Sequence, residues 1–459
     1  MIDGRPDGGG ERAARGAEGA ARVVEALTPI PEAERQFGWR DHASLWFAFG
    51  LGLLVIQAGT FLVPSVSTRD AMIATAVGSV IGTAVLAWTA RLGCVTGLTS
   101  AGLMYRAFGR GLGRIPVGLN VLQLIGWATF ELVILRDAIL AIARHGDAAA
   151  AAQAWAMPAA TVLCGLVLAL LLVMPMVQLV QRIIERVTLP LVILALVWVT
   201  WWYAVRFPGF STATGHTAGA GSGSMFSAMD LVMAYPISWL PLVADYARHG
   251  RREGGQGARK AFSGTFIGYA IANLWSFGLG VMMVANGATL DNATAGIAVV
   301  QGGLVVLGLV LIHELSSNAY GDIYSAAVSS KGIWSRVPLL SWSLVLTVVC
   351  TALALVLPIE SMQPFLLLLS SVFMPLFGVI LGRLGTSDVD ALRTLPRRID
   401  VPATVVWLLG IVVFQLISRL DPNFGSTLPT LAVTFALGWL TRPRQARNVA
   451  SAAVRGAAD

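Results

Sequence analysis

The sequence predicts an all-α integral membrane protein with twelve transmembrane helices. Its composition, the spacing of its apolar runs and the placement of its basic residues each point there. Of the 459 residues 56% are hydrophobic and only 12% charged, and the mean hydropathy is +0.72. A soluble domain keeps roughly a quarter of its residues charged so that its surface stays wet. Large soluble chains also split into domains, which need still more polar cover. Lipid as solvent removes the conflict. The 49 glycines and 14 tryptophans fit that solvent, since membrane helices tolerate glycine and place tryptophan at their interfaces.

A formal net charge of +7 does not mark a nucleic-acid partner, because the basic residues are scattered through short hydrophilic gaps between apolar runs. No stretch interleaves bases and aromatics as a strand-binding groove would. Cys94, Cys164 and Cys350 lie in or beside apolar segments and match no metal-ligand spacing, which makes them small buried side chains. The histidines His42, His145, His216, His249 and His313 include no close-spaced pair, against a membrane-embedded enzyme. A channel would show repeated pore-lining motifs, and this chain has none.

The elements follow in order. Residues 1–42, rich in Gly, Ala, Arg and Glu, read as a disordered cytoplasmic tail without the pattern of a cleaved signal peptide. The first span runs from about Ala43 to Pro64. Eleven more fall near 70–90, 118–143, 156–180, 187–205, 224–247, 261–285, 297–325, 337–357, 362–382, 401–418 and 427–441. Most reach the 17–25 residues that cross about 30 Å of hydrocarbon. The piece from Thr96 to Arg114 is long enough for a short interfacial helix and too polar to cross. With the N-terminus inside, the inside segments hold 27 of the 32 Lys and Arg, so both termini are expected in the cytoplasm of a cell-membrane protein.

Polar residues inside spans are costly and need a reason. In the third span Trp127 and Glu131, four apart, share a helical face. Glu131 either pairs with Arg136 or another helix, or serves as a ligand- or proton-binding group beneath Trp127. In the sixth span Pro236 and Pro241 free backbone carbonyls, as in the broken helices of transporters, or simply kink the helix. Asp245 and Arg248 are placed to form an electrostatic latch at its cytoplasmic end. Gly50, Gly52 and Gly59 in the first span suit close helix packing or a second unwound segment. The eighth span carries Ser316, Ser317, Asn318, Asp322 and Tyr324. Its adjacent hydroxyls suit a small alkali cation better than a transition metal, or they back-bond to carbonyls.

In these helices the sequence resembles the nucleobase–cation symporter family, which includes cytosine permeases, purine permeases and hydantoin transporters. The resemblance covers roughly residues 38–440. It rests on Arg106-Ala-Phe-Gly109, on Gly126-Trp127-x-x-x-Glu131, on SWLPLVADYAR ending at Arg248, and on Ser316-Ser317-Asn318 followed by Asp322. It implies a LeuT-like fold: five-helix repeats over 43–206 and 224–382, inverted relative to each other, then two additional helices over 401–441 and a cytoplasmic tail over 442–459.

The resemblance also implies site roles. Trp127 matches a stacking tryptophan, Glu131 a glutamine that hydrogen-bonds the ring, and Asp322 an asparagine that pairs with it. Ser316 and Ser317 match sodium-coordinating hydroxyls, with first-helix carbonyls from Phe49 to Gly52 completing the shell. Some relatives place a second tryptophan nine residues before the sixth-helix aspartate. That position is Pro236 here, and Trp239 lies three residues later as the candidate for the second wall. Two acids in place of amides favour a ring that offers N–H donors, or one of them is protonated.

The function expected is symport of a nucleobase-like heterocycle, cytosine or a purine first, with sodium as coupling ion and no other cofactor. A proton-coupled carrier of hydroxymethylpyrimidine, allantoin, hydantoin or uracil is the alternative, as is a LeuT-like carrier of another small solute. The partners expected are that small molecule and the bilayer, with oligomeric state left open.

Overall fold

The computed structural model describes residues 27–63, 65–207, 224–252, 255–286, 293–385 and 396–442. Regular structure among them is helical, apart from an isolated parallel bridge between Phe37 and Gly250. The first span is two pieces, α1 (Trp39–Gly50) and α2 (Leu53–Thr60), bent by 51° where Leu51 and Gly52 leave the helix. Then come α3 (Thr68–Thr96), α4 (Ser100–Phe108), α5 (Arg114–Gly146), α6 (Ala156–Leu171) and α7 (Met176–Ala204). The second half holds α8 (Met225–Ser238), α9 (Leu240–Ala247), α10 (Gly257–Ala285), α11 (Ala293–Ala298) and α12 (Gly303–Ile333). It continues through α13 (Leu339–Ala354) and α14 (Met362–Leu384), followed by α15 (Val401–Leu420) and α16 (Thr427–Leu440).

Among the described residues eight helices are long and apolar enough to cross a bilayer, α8 and α9 counting as one, and the bent α1–α2 pair makes a ninth. The twelve expected are therefore not all met. Helices α6, α13 and α16 have 16, 16 and 14 residues. At 1.5 Å per residue they reach about 21–24 Å, short of about 30 Å of hydrocarbon. The fourth expected span stops early because Pro175 removes a backbone donor and begins α7 afresh.

Local chemistry sets the boundaries. Ser67 caps α3 by accepting from the Asp70 amide at 3.1 Å, and Gly97, with φ of 70°, ends it in the left-handed region. The interfacial helix expected between Thr96 and Arg114 is α4, capped by Thr99. It stops at Gly109 (φ 87°), where a Cβ would lie 2.9 Å from the Arg397 carbonyl. That glycine lets the next two amides, Arg110 and Gly111, donate to the Arg397 and Arg398 carbonyls.

Residues 1–26 of the N-terminal tail and 443–459 of the C-terminal tail lie outside the described residues. The stretch before α1 packs against the ends of α3 and α9. Arg35 Nη1 donates to the Cys94 carbonyl at 2.8 Å, and the Phe37 amide donates to the His249 carbonyl at 2.9 Å. Burial pushes the Arg35 guanidinium below its ordinary range, with Arg252 adding to it. Burial likewise lowers the His249 imidazole to about 3.

Helix α10 lies along α1 and α2 through small residues, as the glycines of the first span suggest. A Cβ on Gly50 would stand 2.6 Å from the Ala272 Cβ, so no larger residue fits at that crossing. In the sixth span Trp239 interrupts the helix between Pro236 and Pro241. The carbonyls exposed there find partners on α5: Asn120 Nδ2 donates to Pro241 O at 2.9 Å, and Gln123 Nε2 to Ser238 O at 3.4 Å. Asn120 also reaches Ser329 Oγ at 2.9 Å, so one buried amide ties α5, α9 and α12 together.

Candidate functional site

The break in the first span faces α12. Gly52 is extended (φ −157°, ψ 157°) and is the cap of α2. A Cβ on it would lie 2.9 Å from both Asn318 Nδ2 and Glu314 Oε1, so α12 presses directly on the break. Glu314 Oε1 accepts a hydrogen bond from the Leu53 amide. That amide belongs to the first turn of α2, whose donors have no partner within the helix. A carboxylate placed there satisfies one of them and sits at the positive end of the helix dipole.

Helix α5 supplies the opposite wall. Glu131 lies close to Glu314 and Asn318, and Asp322 is near enough to act on its charge. Glu314, Asn318 and Asp322 follow one another at intervals of four along α12, which puts them on one face of the helix. All three acids are buried, at 3%, 0% and 1% exposure for Glu131, Glu314 and Asp322. Among the described residues no Lys or Arg forms an ion pair with any of them. Glu131 Oε2, Glu314 Oε2, Asn318 Oδ1, Asp322 Oδ1 and Trp127 Nε1 are buried without a hydrogen-bond partner. In a protein interior such groups are costly unless something else completes them.

The aromatic surroundings differ from the sequence expectation. Trp127 meets Tyr235 at 5.6 Å and Phe365 at 5.7 Å between ring centroids. Tyr235 is held by its hydroxyl, which donates to the Leu54 carbonyl at 2.6 Å. Trp239 turns the other way. It stacks on Phe49 at 5.0 Å and 8°, and its indole N–H donates to Tyr269 Oη at 2.8 Å. The ring of the sixth span beside Trp127 is thus Tyr235, next to the proline that fills the expected tryptophan position.

Ser316 and Ser317 are buried and donate to the His313 carbonyl at 2.9 and 2.7 Å. They lie in a wide π-type turn of α12 (Leu315–Ala319), and α7 carries another at Leu179–Thr188. The two turns meet: Ser316 Oγ and His313 Nδ1 each lie 3.3 Å from Thr188 Oγ1. Helix widenings of this kind recur at functional sites. His313 Nε2 lies 3.1 Å from the Ala48 carbonyl, so this nitrogen carries the proton and donates. The first-helix carbonyl that α12 touches is therefore that of Ala48, one residue before the expected Phe49-to-Gly52 stretch. Among the described residues no group of three or more His, Cys, Asp or Glu is placed to hold a metal ion.

At the far end of the sixth span Asp245 Oδ1 accepts from the Ser100 amide at 2.9 Å, at the start of α4. Arg248 Nε donates to the Asp245 backbone carbonyl at 3.3 Å, so the contact runs through the main chain. Glu314, Tyr235 and His313 are the residues that reading the sequence passed over. The only local signal was His313-Glu314 standing immediately before the polar run of the eighth span.

A family model described as permease for cytosine/purines, uracil, thiamine, allantoin matches residues 29–441. The fold is similar to that of MHP1, a nucleobase-cation-symport-1 family transporter, in a closed conformation with bromovinylhydantoin bound. There the TM-score is 0.75 at 17% identity, covering 91% of this chain and 94% of that one. The inward facing conformation of Mhp1 gives 0.70 at 18% identity, covering 93% and 94%. A Na+-coupled sialic acid symporter in its substrate-bound outward-open state gives 0.56 at 11% identity, covering 95% and 97%. No curated protein sequence matches the chain. At these identities the likeness to solved structures establishes the fold: an all-α, multi-pass membrane architecture of the LeuT and Mhp1 kind.

Proposed function

The chain belongs to the permease family for cytosine/purines, uracil, thiamine and allantoin, a family of transporters and not of enzymes, and on that premise we propose that it imports a nucleobase-like heterocycle by cation symport. It is a secondary-active, alternating-access carrier. The reading adopts cytosine or a purine as substrate and sodium as coupling ion. The observation that carries it is the convergence of Trp127, Glu131 and Asp322 beside the broken first span, where a flat ring would find a stacking face and acceptors. Tyr235 joins Trp127 as an aromatic neighbour in place of Trp239.

Sodium would bind between the first and eighth spans, on Ser316, Ser317 and first-helix carbonyls. Both hydroxyls direct their protons to His313 O and keep lone pairs free for a hard cation. By linkage, the ion and the ring each raise the affinity for the other. Pro236 and Pro241 flank the joint at Trp239 about which the sixth span would move, and Asp245 and Arg248 brace its inner end. In this reading the short helices also cross, giving twelve spans as five plus five plus two with both termini cytoplasmic. Abundant lysine and arginine on that side support the orientation.

A proton as coupling ion is the second reading. Glu131 and Glu314 are buried close together, and among the described residues neither has a Lys or Arg ion pair, so the pair offers a place at membrane depth to hold a proton. Uptake of radiolabelled cytosine into proteoliposomes, under an imposed sodium or proton gradient and with unlabelled rings as competitors, tests both. Sodium-driven accumulation is the expected result. Proton-only accumulation would move coupling to the carboxyl pair, and no binding of any ring would overturn the function.

A further inference from the structure

The buried polar atoms left without partners at the site are unevenly divided. Four are acceptors, Glu131 Oε2, Glu314 Oε2, Asn318 Oδ1 and Asp322 Oδ1, and one is a donor, Trp127 Nε1. Three of the four acceptors belong to carboxyl groups, and among the described residues no Lys or Arg ion pair offsets them. Asn318 is buried beside Glu131, and its Oδ1 is one of the unpartnered acceptors.

From this imbalance, and resting on the ring-binding reading above, we propose that the site selects rings bearing a positively charged amidine- or guanidine-type edge, with Glu314 and Asp322 as specificity-determining residues. A planar amidinium presents N–H groups in a fork, and a fork matches neighbouring carboxylates in both geometry and charge. Glu131 and Glu314, side by side on facing helices, would each take one N–H. Asp322 and the Asn318 oxygen would take those further along α12. The face of Trp127 adds attraction for a cation, strongest where water is excluded. A neutral ring with carbonyl edges meets acceptor against acceptor at the same atoms, where the unpartnered donor is the indole N–H.

The test uses the full-length protein in lipid nanodiscs and two isosteric probes, pyrimidine-2-carboxamidine as its hydrochloride and pyrimidine-2-carboxamide, with cytosine as a neutral reference. Binding is read by tryptophan fluorescence and by inhibition of uptake, with and without sodium. The amidinium is expected to bind at least tenfold more tightly than the carboxamide. Asp322→Asn should narrow that ratio to about threefold while carboxamide binding persists. Glu314→Gln should act in the same direction, and thermal melting confirms that each variant is folded. Equal or tighter carboxamide binding overturns the inference, as does binding of cytosine with neither probe; both outcomes leave ring transport standing. Carboxamide affinity rising to the amidinium level with sodium also overturns it, by placing the positive charge on the ion. Failure of all three rings to bind removes the inference and the ring-binding function together.

Discussion

Glu314 accepts the Leu53 amide hydrogen bond, so one buried carboxyl on the eighth span caps the half-helix that resumes after the break in the first. The same carboxyl meets Glu131 on the third span. One buried group therefore links the first, third and eighth spans.

Glu314→Ala removes the cap of α2 and strands the Leu53 amide. A buried group left unpaired costs about 1–3 kcal/mol, so the variant is expected to melt several degrees lower and to lose uptake. Glu314→Gln keeps an acceptor for Leu53 and should melt within about 1 kcal/mol of the parent. Thermal melting of both variants in detergent separates cap from charge. Equal melting of Ala and parent would remove the capping role.

Trp127→Ala takes away the aromatic face beside Tyr235 and is expected to raise the KM for the transported ring about tenfold, in line with about 0.5–1.5 kcal/mol for an aromatic pair beyond area burial. Trp239→Phe keeps the stack on Phe49, loses the Tyr269 bond and should leave KM within about threefold. If the two variants exchanged these phenotypes, Trp239 would be the binding wall.

Ser317→Ala deletes a hydroxyl and leaves the His313 carbonyl exposed to the same neighbours. Half-maximal activation by sodium is expected to shift upward by about tenfold or more, the loss of one hard-oxygen ligand, with little change in ring affinity at saturating sodium. An unchanged sodium dependence would place the ion elsewhere.

Stability is expected to fall with acid through His249. Burial holds its folded value near 3, with Arg248 adding to the effect. The unfolded imidazole takes its proton near 6.5. The contribution is therefore fully present above about pH 6.5 and lost as pH falls toward 3, with about 2 kcal/mol gone by pH 5. Melting curves at pH 7.5 and pH 5 should differ less for His249→Gln than for the parent; an equal difference would exclude His249 as the source.

Much of the architecture was legible in the chain because its causes are local. Lipid demands long apolar runs, and these located most helices, including α4 between Thr96 and Arg114, while α7 starts at Met176 ahead of the expected 187 and α12 runs on to Ile333 past the expected 325. Span number was less legible, since hydropathy runs through Pro175 while the helix does not. The pairing of Trp127 with Glu131 was visible because residues four apart share a face whatever packs against them. Helical periodicity says nothing about which face of another helix lies opposite. Only the packing of α10 on the glycines of the first span, and of α12 on Gly52, set that register. It brought Glu314 to Leu53 and Glu131, His313 to Ala48, and Tyr235 rather than Trp239 to Trp127. Composition and periodicity determined that this is a helical membrane protein with polar groups at membrane depth. Which of those groups meet was decided by close contacts between helices distant in sequence.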